Sequence, residues 1–130
     1  MKISVLLADN SDVVRKVIAV LLKGDPEIEV VAESISFAQT IELAAKLHPQ
    51  VIVLDVHMGD ERTVTPSQLK SGLMGSRLLA ISIWKDEETK SFAESIGVVK
   101  LLDKVNLATE LIPAIKLYAN ESSERIDRSE

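Results

Sequence analysis

The sequence of 130 residues contains no cysteine and only two histidines. The absence of cysteine excludes disulfides and thiolate metal sites, and it is consistent with a reducing compartment. Two histidines are too few for a multi-histidine metal centre. The longest apolar run is far below the ~18 residues of a membrane span, and residues 1–5 lead directly into a strand-like segment, not a signal peptide. We therefore predict a cytoplasmic protein that does not enter the membrane.

Basic residues are in the minority. The chain carries 15 Lys and Arg residues against 20 Asp and Glu residues, which gives a net charge of -5 and a sequence pI of about 5.1. This balance lacks the basic footprint of nucleic-acid binding proteins, so we expect no direct binding of nucleic acid by this chain. The length fits one domain, which at this size buries roughly two-thirds of its unfolded surface and needs no covalent staple.

What the sequence does contain is a regular alternation of strand-like and helical segments. Strands are predicted at residues 3–8, 28–32, 51–54, 78–83 and 98–102. Helices are predicted at residues 12–23, 37–47, from 66 until Gly72 or Gly75, 86–96, and 106 to about 119, with caps at Ser11 or Asp12, Ser36, Thr65 and Asn106. This order predicts an α/β fold, in which a parallel five-stranded sheet is doubly wound with helices on both faces.

Two features near the C-terminus depart from this regular pattern. Pro113 falls inside the last helix, where it is expected to kink the helix or shift its start. Residues 120–130 contain one apolar residue and are predicted to form a polar C-terminal tail or the start of a linker.

Polar side chains lie at or near the carboxyl ends of four of the five predicted strands. They are Asp9, Asn10, Asp55, Ser82, Asp103 and Lys104. Each alone also suits a turn, but the carboxyl ends of parallel strands share one edge of the sheet, where ligands bind. Oxygen donors without clustered histidine or cysteine suit Mg²⁺ before Zn²⁺. A carboxylate there can attack phosphorus to form an aspartyl phosphate, whose oxygens Ser82 and Lys104 are positioned to hold.

Four segments carry a resemblance to a known family. They are VLLADNSDVVRKVI, VIVLDVHM, LLAISIW and GVVKLLDK. The chain resembles the response-regulator receiver domains of two-component signalling, most closely those that precede helix-turn-helix output domains. The resemblance covers residues 2 to about 119, so we assign residues 1–119 to a receiver domain and 120–130 to the tail or linker. It implies a flavodoxin-like (βα)5 three-layer sandwich with strand order 2-1-3-4-5.

The resemblance also implies roles for individual residues. Asp55 is the expected phosphoacceptor, Ser82 the switch hydroxyl and Lys104 the lysine that contacts the phosphate. The expected Mg²⁺ ligands are Asp9, Asn10, Asp55 and the backbone carbonyl of His57.

Partners follow from the same resemblance. The expected phosphodonor is a histidine kinase, a phosphotransfer protein or a small phosphodonor. Phosphorylation is expected to switch an output surface formed by the fourth strand, fourth helix and last helix. This surface would contact a possible output domain after residue 130, or it would form a possible homodimer through the last strands and helices. The role is that of a phosphoacceptor in transcription regulation rather than an enzyme, although self-catalysed phosphorylation and dephosphorylation are possible.

Several positions depart from the family pattern. Asn10 stands where a second acid is usual, in a register that Arg15 in the first helix fixes. Ile83 replaces a small residue beside the switch hydroxyl, where its side chain is expected to obstruct the phosphoryl group. Leu101 replaces the aromatic residue that usually follows the hydroxyl's movement.

The segment 59–65 is also atypical: its sequence, GDERTVT, stands where the family usually has a proline and a glycine followed by a defined short loop. Its acids Asp60 and Glu61 either compensate for the missing charge or form a solvated loop. Trp84, the only tryptophan, either anchors an interface or lines the loop above the site.

Three other functions remain open at this stage. A pseudo-receiver would share the fold but act as a phosphorylation-independent interaction module. An aspartyl-nucleophile phosphatase would need a second acid where His57 stands, and a large cap that this length does not provide. A flavin-binding module would need a hydroxyl- and glycine-rich loop after the first strand, where the chain has acids instead.

Overall fold

A computed structural model describes residues 2–128, with side chains described through residue 120. Within these residues the strands are β1 (Ile3–Ala8), β2 (Ile28–Ser34), β3 (Val51–Asp55), β4 (Arg77–Ser82) and β5 (Lys100–Asp103). The helices are α1 (Asp12–Lys23), α2 (Phe37–Leu47), α3 (Pro66–Leu73), α4 (Glu87–Ser95) and α5 (Leu107–Arg128), with a 3₁₀ turn at Lys104–Asn106. The strands form one parallel sheet in the order β2-β1-β3-β4-β5, which confirms the predicted fold and strand order.

Two cores cover the two faces of this sheet. Successive residues of a strand point to opposite faces, and β1 divides its side chains accordingly. Val5 and Leu7 pack with α1 and α5, whereas Leu6 and Ala8 pack with α2 and α3. Each fully buried leucine or valine contributes about 1.5–3 kcal/mol to the free energy of unfolding. The result is a three-layer sandwich with β1 and β3 in its centre.

The predicted caps of three helices are confirmed. Ser11, Ser36 and Thr65 each accept a hydrogen bond through the side chain from the backbone amide three residues later. At Thr65 the bond is reciprocal, because the side chain of Gln68 accepts from the Thr65 amide. These local bonds fix where α1, α2 and α3 begin, and therefore where the preceding loops end.

Three strands have boundaries that differ from the predictions. β2 continues two residues past Ala32 to Ser34, and β4 ends at Ser82 because Ile83 is 61% exposed and lies outside the sheet. The prediction of β5 at 98–102 is wrong by about two residues, and the strand is Lys100–Asp103. The reason is that the Val98 amide bonds back to the Ala93 carbonyl at the end of α4 and belongs to that turn.

The last helix is longer than expected. α5 begins at Leu107, as predicted from Asn106, and runs through Pro113 to Arg128 instead of ending near Ala119. The scarcity of apolar residues in the sequence beyond Ala119 does not prevent local helical hydrogen bonds. The division of the chain at 119 remains a prediction, and residues 129–130 lie outside the described part. Between residues 2 and 128, no helix is long and apolar enough to cross a membrane.

Candidate functional site at the carboxyl edge of the sheet

Three charged side chains from three different strand ends meet at one edge of the sheet. Asp9 follows β1, Asp55 ends β3, and Lys104 follows β5. The Lys104 Nζ lies 2.8 Å from Asp9 Oδ2 and 3.4 Å from Asp55 Oδ2. Asp9 is 0% exposed and Asp55 is 3% exposed, so one ammonium faces two buried carboxylates. As ionised groups, the three side chains leave one negative charge uncompensated.

One oxygen of Asp9 lacks a hydrogen bond. Oδ1 accepts from the Ser11 amide at 2.9 Å. Oδ2 is buried and, among the described residues, has no partner that meets hydrogen-bond geometry. Its 2.8 Å contact with Lys104 is therefore an ion pair without good alignment. A buried acceptor in this state carries a desolvation cost of about 1–3 kcal/mol or more, which a bound cation would offset.

Burial governs the charge of Asp55. Loss of contact with water raises the pKa of its carboxyl group, and the neighbouring charge of Asp9 raises it further. The His57 amide, which donates to Asp55 Oδ1 at 2.9 Å, and the Lys104 ammonium act in the opposite direction but do not cancel the effect. The ionised form of Asp55 is thus less favourable in the folded protein than in an unfolded chain.

Asn10 and His57 flank this pair of acids. Asn10 is exposed, and its Nδ2 donates to the backbone carbonyl of Met58 at 3.4 Å, which leaves its Oδ1 as a possible ligand atom. The structure thus brings Asn10 to the loop after β3. The role of the His57 carbonyl stays a prediction.

Ser82 lies at the same edge, at the end of β4. It is 1% exposed, its neighbour Ile81 pairs with Asp55, and Ser82 itself pairs with Asp103 of β5. Its Oγ accepts a hydrogen bond from the Trp84 amide at 2.9 Å. The side-chain hydrogen of Ser82 can therefore be donated to another acceptor at this edge.

The two altered switch positions lie on opposite sides of Ser82. Ile83 is exposed and lines an apolar cavity with α1 residues and Lys104. Leu101 is half-buried and packs with Val56, Ala80 and Ala93. The expected obstruction by Ile83 and the loss of aromatic coupling at Leu101 stay predictions.

Asp60 has a role that the sequence did not reveal. Its Oδ1 accepts from the Phe37 amide at 3.0 Å, and its Oδ2 accepts from the Ala38 amide at 3.1 Å. It therefore caps the N-terminus of α2, where a negative charge is favourable. Asp60 does lie in a loop, but its carboxylate is bonded to α2 instead of being solvated. Compensation for the missing charge by Asp60 or Glu61 stays a prediction. Glu61 instead accepts from the Gly59 amide at 2.7 Å.

Arg15 is a second residue whose role emerged only from the structure. Its Nη1 donates to the backbone carbonyl of Asp9 at 2.8 Å, while its other nitrogens pair with Asp12 and Glu33. From the sequence, Arg15 served only to align the residues after the first strand with the family pattern. The partly buried guanidinium of Arg15 thus connects the residue after β1 with α1 and β2, and it holds the Asp9 backbone in position.

The donors at this edge fit a hard divalent cation. Over residues 2–128, no group of three or more His, Cys, Asp or Glu side chains is arranged to hold a metal ion. Mg²⁺, however, is commonly bound through one or two carboxylates and retains several waters. The buried Oδ2 of Asp9, the carboxylate of Asp55 and the amide oxygen of Asn10 meet that requirement with oxygen atoms alone.

Two curated proteins are similar in sequence to much of this chain. The transcriptional regulatory protein LiaR of Bacillus subtilis is 29% identical over 115 residues, which are 88% of this chain and 54% of LiaR. A protein-glutamate methylesterase/protein-glutamine glutaminase of Pseudomonas syringae is 32% identical over 141 aligned positions, 98% of this chain and 38% of that protein. The chain thus spans about half the length of LiaR and less of the methylesterase.

Solved structures agree on the fold. The signal receiver domain of NarL from Mycobacterium tuberculosis superposes with a TM-score of 0.81 at 24% identity, over 92% of this chain and 97% of that one. The family model for the response regulator receiver domain matches residues 5–116, which include the carboxyl ends of all five strands. The chain therefore belongs to the response regulator receiver domain family.

Proposed function

We propose that this receiver domain accepts a phosphoryl group on Asp55 in a reaction that depends on Mg²⁺. The observation that carries the proposal is the meeting of Asp9, Asp55 and Lys104 within 3.4 Å at one sheet edge. Two buried carboxylates favour the binding of a cation, and the ammonium beside them favours the binding of an anion such as a phosphoryl group. Phosphoryl transfer uses both kinds of group at one site.

The proposed ligands for Mg²⁺ are the side chains of Asp9, Asn10 and Asp55 and the backbone carbonyl of His57. The buried Asp9 Oδ2, which has no hydrogen-bond partner within the described part of the chain, supports this assignment. When bound, the ion would neutralise charge on the transferring phosphoryl group. Asn10 supplies an oxygen but no charge, so we expect weaker Mg²⁺ binding than with a second acid.

Asp55 Oδ2 is the proposed nucleophile, because the His57 amide already holds Oδ1. A lone pair of Oδ2 forms the bond to phosphorus while the bond between phosphorus and the donor breaks. The leaving group, a histidine nitrogen or the acetate oxygen of acetyl phosphate, takes that electron pair. Lys104, 3.4 Å from Oδ2, contacts the transferred oxygens, and the Ser82 hydroxyl donates its hydrogen to one of them.

The partners are proposed on the basis of family membership. A histidine kinase or phosphotransfer protein in the cytoplasm would supply the phosphoryl group. Phosphorylation would shift an existing equilibrium between two surfaces formed by β4, α4 and α5. That shift would act on an output domain after residue 130, as in a transcription regulator, or on a homodimer through β4, β5, α4 and α5.

Intact-mass spectrometry after incubation with acetyl phosphate and Mg²⁺ tests the proposal. We expect a mass gain of one phosphoryl group, which EDTA prevents and which Asp55→Asn abolishes. Asp25→Asn is the matched control, because Asp25 lies at the opposite end of α1 and pairs with Lys116. The control variant should gain the same mass as the unaltered protein.

The pseudo-receiver is the alternative that this experiment decides. Asn10 at an acidic position is the observation that favours it. If neither acetyl phosphate nor beryllofluoride changes the protein at millimolar Mg²⁺, the chain acts without phosphorylation. A mass gain that persists in Asp55→Asn would instead move the acceptor to another residue.

A further inference from the structure

A cavity of about 530 Å³ lies beside the Asp55 site and has no part in the proposed transfer. The loop after β3, the loop after β4 and one side of α4 form its walls. Val56, Pro66 and Phe92 provide apolar surface, and Trp84 lies at its edge. We call it the Trp84 cavity. Its volume lies within the range of roughly 300–1,000 Å³ that is usual for small-molecule sites.

The charged groups around the Trp84 cavity are of one sign. Glu61, Asp86 and Glu88 line it, and none of the described lining residues is Lys or Arg. His57 is the remaining ionisable side chain there. The cavity is therefore complementary to a positive charge.

Two of these carboxylates are fixed by the surrounding chain. The Gly59 amide donates to Glu61 Oε1 at 2.7 Å, and the Thr89 hydroxyl donates to Asp86 Oδ1 at 2.6 Å. The Thr89 hydrogen bond also holds the pKa of Asp86 below its usual range, so Asp86 remains ionised at neutral pH. Oriented carboxylates lose little freedom when a cation binds.

Trp84 is the second feature that favours a cation. The side chain is 56% exposed, although its backbone amide is anchored to Ser82. Exposed indole surface beside an apolar wall has a hydration cost, and the indole face attracts ammonium and guanidinium groups more strongly than other aromatic rings do.

We propose that the Trp84 cavity binds a small organic cation in which an ammonium or guanidinium group is attached to an apolar body. The apolar body would contact Val56, Pro66 and Phe92, and the charge would lie between Trp84 and the carboxylates. A hydrated metal ion would make no use of the apolar wall. A single lysine or arginine side chain of a partner would fill only part of the volume. Binding needs no phosphorylation, so this inference is independent of the proposed function.

Fluorescence of the single tryptophan provides a direct test. The unphosphorylated protein is titrated with phenethylammonium chloride, with neutral 2-phenylethanol and with anionic 3-phenylpropionate. We expect a saturable change with the ammonium compound. The alcohol should bind at least about fivefold more weakly, because it lacks the charge that the indole and carboxylates recognise. The carboxylate probe should produce no saturable change.

Variants separate the cavity from the rest of the protein. Glu61→Gln combined with Asp86→Asn should weaken phenethylammonium binding by at least about fivefold. Glu42→Gln, which removes an exposed acid on α2, should not change it. Equal affinity for the alcohol and the ammonium compound would overturn the inference. An absence of saturation up to millimolar phenethylammonium would also overturn it.

Discussion

The ammonium of Lys104 lies 2.8 Å from Oδ2 of Asp9, a buried atom that has no hydrogen-bond partner among the described residues. In the absence of a bound cation, Lys104 is the group that balances the charge of Asp9. The same ammonium is 3.4 Å from Asp55, so a single side chain stabilises two acids. This shared dependence has consequences for stability that can be measured without any phosphodonor.

Lys104→Met should lower the free energy of unfolding by about 3 kcal/mol at pH 7, because it leaves two buried carboxylates without their counter-charge. Urea unfolding in EDTA measures the loss. Lys85→Met is the matched control, since Lys85 pairs with Asp103 at the same edge but is exposed, and its loss should be much smaller. Added Mg²⁺ should restore part of the stability of Lys104→Met. Equal losses for the two variants would contradict this account.

Asp55→Asn should make the protein more stable than the unaltered chain at pH 7 in EDTA. Burial raises the pKa of Asp55, so between its unfolded and folded values the native state binds more protons than the unfolded state. Stability therefore falls as the pH rises through that interval, and the full penalty is present above it. The advantage of Asp55→Asn should vanish as the pH falls below about 4, where the unfolded carboxyl group also becomes protonated.

Asp25→Asn should change the free energy of unfolding at pH 7 in the opposite direction to Asp55→Asn. The hydrogen bond from Lys116 lowers the pKa of Asp25, so its contribution to stability is present at pH 7 and is lost as the pH falls through the folded pKa. Asp25→Asn should therefore be less stable than the unaltered protein at pH 7, with the difference shrinking in acid. Urea unfolding over a pH series would reject the account if both variants shifted in the same direction.

Asn10→Asp should tighten Mg²⁺ binding by about tenfold or more, since it adds a charged ligand beside Asp9. Without the metal, the same variant should be less stable, because a third carboxylate joins two that share one ammonium. Isothermal titration calorimetry measures the affinity. Asn120→Asp, an exposed change on α5, should leave it unaltered. Unchanged Mg²⁺ affinity in Asn10→Asp would exclude Asn10 from the ion site.

Asp60→Ala should lower the free energy of unfolding by about 1 kcal/mol, as is typical for the loss of a helix cap. Two backbone amides at the start of α2 lose their acceptor. Hydrogen exchange at Phe37 and Ala38 should become faster. Glu42→Gln removes an equal charge from α2 without removing a cap and should leave this exchange unchanged. Unchanged exchange in Asp60→Ala would mean that the cap does not persist in solution.

The sequence was sufficient to predict which strand ends meet. In a parallel sheet all carboxyl ends share one edge, so Asp9, Asp55, Ser82 and Lys104 had to converge once the strand–helix alternation was recognised. The starts of helices could be predicted equally well, because the side chain of a cap such as Ser11 accepts from a backbone amide only three residues later. Both kinds of inference depend on local patterns and on one rule of topology.

What the sequence did not reveal depends on distant pairs. Asp60 caps a helix that begins 23 positions earlier, and Arg15 on α1 pairs with Glu33 on β2. The start of β5 was misjudged because the Val98 amide is used by the end of α4, although valine itself suits a strand. No periodicity in a single sequence encodes such tertiary contacts.

The Asp60 cap gives the loop after β3 a mechanical link to a helix on one face of the sheet. If phosphorylation of Asp55 shifts the loop, either the two hydrogen bonds of Asp60 break or the first turn of α2 moves with the loop. A signal that starts at the acceptor strand would then reach the α2 side of the domain as well as the α4–α5 side. The receiver would have two faces that respond to one event, and a partner on either face could sense it.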